Sequence, residues 1–158
     1  MPANPARAAI VSGYFNPLHI GHLQMMEQAH ELGDGFLIVI VNSDAQQELK
    51  KGTVIFDETT RLRIVKALRV VDDALVAVDT DGSVTESLRT VREAYPDTDL
   101  VFCNGGDRRD PDAMPTTESQ VCAELGIAMA FGVGGEDKAD SSTRVLHALG
   151  HGPAPTQG

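Results

Sequence analysis

Gly13-Tyr14-Phe15-Asn16-Pro17-Leu18-His19-Ile20-Gly21-His22 reads as an apolar strand breaking into a turn and then into a helix with two histidines three residues apart. Residues 8–11 ahead of it are a short run of the buried type, and Leu23, Met25, Met26, Ala29 and Leu32 after it recur at helical spacing. A helix N-terminus placed there offers unpaired backbone N–H groups and the positive end of its dipole to phosphate. Gly13 suits a tight turn, Pro17 can open the helix with its φ already set, and Gly21 removes a side chain where a nucleotide could lie close to the backbone. His19 and His22 share one helical face. Two surface histidines at a helix start, or two metal ligands, are the plainer alternatives, but a zinc site wants further Cys, His or carboxylate ligands at compact spacing and none is visible. The stretch is read as a nucleoside triphosphate site.

The rest of the chain alternates strands and helices. Residues 36–41 are a continuous apolar run suited to a central parallel strand, followed by a polar stretch from Asn42 to the lysine pair Lys50 and Lys51. Asp57 can cap a helix over 58–70, and residues 74–78 make a third strand. Ser83 and Glu86 have the spacing of a capping box for a helix ending before Pro96. A fourth strand over 99–103 leads into Asn104-Gly105-Gly106-Asp107-Arg108-Arg109. Residues 116–125 read as a helix closed by Gly126, residues 127–131 as a fifth strand, and Ser141-Ser142-Thr143 as the opening of a last helix over 144–149. This order predicts an α/β fold, a Rossmann-like doubly wound parallel sheet of about five strands in three α/β/α layers, as a single domain over 1–150 with a disordered tail over 151–158. Ligands in such sheets sit at the carboxyl ends of the strands, where strand order reverses, and each motif above follows a strand.

Length and charge narrow the partners. The chain has 158 residues and a formal net charge of -10, which disfavours a nucleic acid partner and leaves room for a local basic pocket. Cys103 and Cys122 fit neither a zinc spacing nor a disulfide scaffold and are expected as small buried residues. Residues 1–9 carry no apolar signal core and no run is long enough to span a membrane, so the expected location is the cytoplasm and no membrane partner is expected.

These parts suit nucleotidyl transfer, in which a phosphate oxygen of an acceptor attacks the α-phosphate of a nucleoside triphosphate. Such chemistry needs alignment and neutralisation of growing charge rather than a protein nucleophile. His19 and His22 would donate hydrogen bonds to the triphosphate, as donor or cation near neutral pH. Lys50 and Lys51 would bring positive charge to the phosphates, and Mg²⁺ would bridge phosphate oxygens. Ser141, Ser142 and Thr143 combine hydroxyls with a helix start, and Arg144 adds a guanidinium matched to phosphate. Gly105 and Gly106 let the backbone approach a base or ribose, with Asp107 as acceptor; Arg108 is a further candidate substrate contact, although it and Arg109 also suit plain surface charge.

The opening stretch resembles the GxFDxxHxGH signature of the cytidylyltransferase-like nucleotidyltransferases, with Asn16 where that signature usually has Asp. The resemblance runs from Ala9 to about Leu149. Val41-Asn42-Ser43-Asp44 and Gly105-Gly106-Asp107 are similar to segments of the heptose-phosphate adenylyltransferases. Arg61 and Leu68-Arg69-Val70-Val71-Asp72 resemble the helix region of glycerol-3-phosphate cytidylyltransferases, where Lys50 matches a substrate lysine and Lys51 stands beside Gly52, on which a second one falls. Ser141-Ser142-Thr143 resembles the closing Ser/Thr-rich motif, although Glu136 stands where an Arg usually precedes it, with Lys138 two residues on. The resemblance implies His19, His22, Lys50 and Arg144 as catalytic, and Gly13, Tyr14, Phe15, Asn16, Gly21, Gly105, Gly106, Asp107 and 141–143 as nucleotide-binding. It implies Lys51, Arg61 and Arg108 as substrate-binding, Mg²⁺ held through the nucleotide, and a homodimer. It implies CTP or ATP as donor, with a small lean to CTP, and a phosphorylated sugar, polyol or similar alcohol as acceptor, with an adenylyltransferase of another substrate class as an alternative. The reading from another class is a nucleotide-binding regulatory module without turnover, to which Asn16 and Glu136 lend support.

Overall fold

The computed structural model describes residues 4–16, 18–49, 53–105 and 116–133. Five strands form one sheet: β1 (Arg7–Gly13), β2 (Leu37–Val41), β3 (Asp73–Val76), β4 (Asp99–Gly105) and β5 (Ala128–Val133). Every neighbouring pair is parallel and the order is β3-β2-β1-β4-β5. The chain winds outward from β1 to β3, crosses back to β4 beside β1, and winds out the other way. The reversal point is therefore the carboxyl edge between β1 and β4, and it is the edge on which the turn after β1 lies.

Alternation along the strands divides the core in two. Ala9, Val11, Leu37, Val39 and Val101 face one cluster with Met26, Ala29 and Val65, from helices α1 (Ile20–Leu32) and α3 (Glu58–Lys66). Ala8, Ile10, Ile38, Ile40 and Phe102 face the other with Leu88, Val91, Val121 and Cys122, from α4 (Thr85–Ala94) and α5 (Thr116–Leu125). Both faces of β1 and β2 are thus covered, which is why those strands read as continuous apolar runs. The three-layer, doubly wound architecture expected from the sequence is the one observed. Cys103 and Cys122 are free and buried, in β4 and α5.

Local details differ from expectation. Helix α1 begins at Ile20 with His19 as its N-cap, not at Pro17. The polar stretch after β2 contains a short helix, α2 (Asp44–Leu49), whose buried residues are Gln46 and Gln47, so no apolar period announces it. Asp57 caps α3 by accepting the Thr60 N–H, as expected, but α3 ends at Lys66 rather than at 70. The Ser83/Glu86 box does not form. Asp79, buried in the turn after β3, takes the N–H groups of Glu86 and Ser87 at 2.7 and 3.0 Å, while the Ser83 hydroxyl donates to Asp81. The expected last helix over 144–149 and the tail lie outside the described residues.

Gly33, which follows α1, sits where a Cβ would come within 2.3 Å of the Phe36 carbonyl oxygen and 2.4 Å of the Ala9 nitrogen. Both neighbours are backbone and cannot turn aside. Gly33→Ala should therefore lower unfolding stability by about 1–3 kcal/mol, the usual range for overpacking. Urea denaturation would show it as a lower midpoint at unchanged slope.

Candidate active site

Each residue of the candidate site follows from how β1 ends. The Asn42 N–H donates to the Gly13 carbonyl at 2.8 Å, carrying the β1–β2 ladder to its last rung. Beyond it, Phe15 takes a left-handed conformation with φ 51°, uncommon for a residue with a Cβ. This turns its ring back onto Gly13, where an added Cβ would lie 2.8 Å from the ring tip. Gly13 is thus required for the space it leaves rather than for a special φ, a correction to its expected role in a tight turn.

The buried Phe15 ring stands edge-on to His22, centroids 5.0 Å apart at 84°. His22 in turn stacks on His19 at 3.8 Å. The two histidines form a reciprocal capping box: the Gly21 N–H donates to His19 Nδ1 at 3.1 Å, and the His19 N–H donates to His22 Nδ1 at 3.2 Å. The spacing of three that placed them on one face is the spacing from N-cap to N3.

Two consequences follow. An Nδ1 that accepts a hydrogen bond has no proton, so each neutral imidazole carries its proton on Nε2 and can act there as a donor. Peptide N–H groups pulling on Nδ1 also polarise the ring and strengthen that donor. Further, burial, and then the neighbouring His19, push the His22 pKa down to about 4. His22 is therefore a neutral donor at physiological pH, which narrows the donor-or-cation expectation. The first-turn N–H groups expected to be open to phosphate are in part occupied: Gly21 by the His19 ring, His22 and Leu23 by the His19 carbonyl. No acidic side chain lies in that turn to offset the helix dipole.

Arg61, expected as a substrate contact, is 2% exposed. Its Nε donates to the Phe56 carbonyl, Nη1 to the Tyr14 and Asn42 carbonyls and Nη2 to Asp44, all between 2.6 and 2.8 Å. A guanidinium so engaged is a tie within the fold. Asn42, Asp44 and Gln46 were not singled out as site residues. Gln46 accepts from Asn42 and Ser43 and donates to the Asp81 and Ser83 carbonyls, joining the ends of β2 and β3. Its place in a six-residue helix without apolar residues on its inner face gave no signal.

Gly105 ends β4 on the same edge as Gly13, beside Val133 of β5. Tyr14 follows Gly13 on that edge, its hydroxyl pKa raised by burial. Asn16 bonds to residues 53–56. A pocket of about 180 Å³ opens between this turn and α3, lined by Phe15, Leu18, Phe56, Arg61, Ile64 and Val65. Pro17, Lys50, Lys51, Gly106, Asp107, Arg108, Arg109, Glu136, Lys138, Ser141, Ser142, Thr143 and Arg144 lie outside the described residues. Among the described residues no three His, Cys, Asp or Glu side chains gather around a metal-sized space, and no helix is long and apolar enough to cross a membrane.

A family model described as cytidylyltransferase-like matches residues 10–121, and the chain belongs to that family of nucleotidyltransferases. Among curated relatives, the FAD synthase of Picrophilus torridus is 34% identical over 118 residues, 75% of this chain and 76% of that protein. The FAD synthase of Thermoplasma volcanium is 34% identical over 88 residues, 56% of this chain and 58% of that protein, so several such matches span less than two thirds of the relative's length. The crystal structure of the lipopolysaccharide core biosynthesis protein from Thermoplasma volcanium GSS1 superposes with a TM-score of 0.62 at 27% identity, over 79% of this chain and 93% of that one.

The buried groups make two predictions. Arg61→Met strands the acceptors the guanidinium now serves and should destabilise the fold by about 3 kcal/mol, read from chemical denaturation. Because His22 has a lower pKa folded than its unfolded value of 6.5, the unfolded chain binds the extra proton as pH falls from 6.5 towards 4. Its contribution is full above pH 6.5 and is lost towards pH 4. His22→Gln should flatten the stability–pH curve across that window, measured against the parent chain by thermal melts.

Proposed function

We propose that the chain is an adenylyltransferase that joins the AMP part of ATP to the phosphate of a phosphorylated small molecule. A phosphate oxygen of the acceptor bonds to the α-phosphorus, the bond from that phosphorus to the bridging oxygen breaks, and pyrophosphate leaves with the electron pair. The observation that carries this reading is the locked histidine pair, which holds two Nε2–H donors at a helix N-terminus on the switch-point edge of the sheet. Donors fixed before the reaction stabilise charge developing on the α-phosphate without reorganising.

ATP replaces CTP as first choice because FAD contains an adenylyl group, and FAD synthase is the name of the relatives. For the same reason flavin mononucleotide is the first acceptor to test. The similarity to a lipopolysaccharide core biosynthesis protein supports a second reading, in which the acceptor is a sugar phosphate. Lys50, Lys51, Arg108 and Arg144 would supply cations to the phosphates, and Ser141, Ser142, Thr143, Gly105, Gly106 and Asp107 further nucleotide contacts. Mg²⁺ would arrive on the triphosphate oxygens and neutralise charge there. A cytoplasmic homodimer completes the proposal.

Thermal shift with Mg²⁺ and each nucleoside triphosphate tests the donor, since a ligand that binds the folded state raises its melting temperature. A shift with ATP and pyrophosphate release with flavin mononucleotide or a sugar phosphate is the expected result. A shift with CTP alone overturns the adenylyl assignment, and nucleotide binding without pyrophosphate release under any acceptor favours the regulatory module. In the active protein, His19→Ala and His22→Ala should each lower kcat by about 10²–10³-fold, as loss of one preorganised donor does elsewhere.

A further inference from the structure

We propose that Asn16 is a positioning residue for His22: its carboxamide clasps residues 53–56 to the nucleotide turn and so fixes Phe15 against the imidazole. The amide Oδ1 accepts the N–H groups of Ile55 and Phe56 at 2.9 and 3.1 Å, and Nδ2 donates to the Thr53 carbonyl at 2.7 Å. One side chain thus makes three bonds to a segment 37–40 residues away in sequence.

The chemistry is specific to an amide. A carboxylate could take the two N–H groups, but it has no proton for Thr53 and would place an anionic oxygen against that carbonyl oxygen. Asn16, where the family signature usually has Asp, is then a matched partner for residues 53–56 rather than a mark of a decayed site.

The clasp reaches His22 through Phe15. A left-handed conformation at a residue with a Cβ is strained and persists only where its surroundings hold it. Both flanking residues are held. The Tyr14 carbonyl is bonded by Arg61, and Asn16 is bonded by residues 53–56. Phe56 closes the loop, since its N–H goes to Asn16 and its carbonyl accepts from Arg61. With both neighbours fixed, the Phe15 ring stays between Gly13 and His22 and keeps water from the imidazole.

The kinetic side of this role rests on the transfer reading; the spectroscopic side does not. NMR of the whole chain, parent against Asn16→Ala and the near-isosteric Asn16→Asp, would follow the His22 ring titration and hydrogen exchange at Ile55 and Phe56. In the parent, His22 should titrate near the 4 that its burial implies. In Asn16→Ala it should move up by about one unit or more towards 6.5, with exchange at both amides at least about tenfold faster. Asn16→Asp should shift His22 upwards while keeping part of the amide protection. Where pyrophosphate release is measurable, both variants should lose about ten- to a hundredfold in kcat, in line with a misplaced reacting group. Unchanged His22 titration in Asn16→Ala overturns the proposal, as does an Asn16→Asp variant indistinguishable from the parent. A parent without pyrophosphate release overturns the transfer reading alone, because the NMR result still decides the clasp.

Discussion

A single buried charge holds the top of this fold together. The Arg61 guanidinium is sealed from water and bonded to backbone carbonyls from the turn after β1, from the end of β2 and from the lead into α3, and to a carboxylate at the start of α2. A buried cation without such partners would cost several kcal/mol, so the acceptors must assemble around it. Carbonyls that end strands have no ladder partner beyond the last rung, and a planar fork with five N–H donors can gather several of them at once. Arg61 thereby converts three loose strand and loop ends into one rigid rim.

Beside that rim His22 is kept neutral. The histidine pair is held in its donor tautomer by peptide N–H groups, and the Phe15 ring lowers the dielectric around His22, so the protonated form is disfavoured twice. Stacking adds a third restraint, because two imidazolium rings at 3.8 Å would repel. A single histidine at a helix N-cap would be free to rotate. Two that cap one another, with a phenyl edge against the second, have one arrangement.

The sequence carried this fold at the level of strands and layers because β1, β2 and β4 are buried on both faces, which makes their apolar runs continuous. Helix α5 was legible to its last residue, since Gly126 sits at φ 68° where its turn needs a glycine. What stayed hidden depends on partners far away in sequence. Asp79 took the α4 N–H groups that Ser83 was expected to serve, because the turn after β3 brings a carboxylate there first. Helix α2 buries amides, so it has no hydrophobic period to read. For the site, the pattern revealed that His19 and His22 share a face, but not that each fixes the tautomer of the other, and the resemblance that singled out Arg61 carried no sign of its burial. Asn16 read as a lost charge, and only its three long-range bonds show a gained donor.

The acidity of the chain and the neutrality of His22 bear on each other. With a net charge of -10, a triphosphate is repelled at long range, and two hydrogen-bond donors do not reverse that field. On the proposed reading, attraction comes from Lys50, Lys51, Arg108 and Arg144, while orientation comes from the rigid turn. Such a division has a physical logic. Charges act over a distance, whereas hydrogen-bond donors aimed at a reacting phosphate work only if they are held within a fraction of an ångström. The fold spends its buried arginine, its strained phenylalanine and its paired histidines on the second task, the one that demands rigidity.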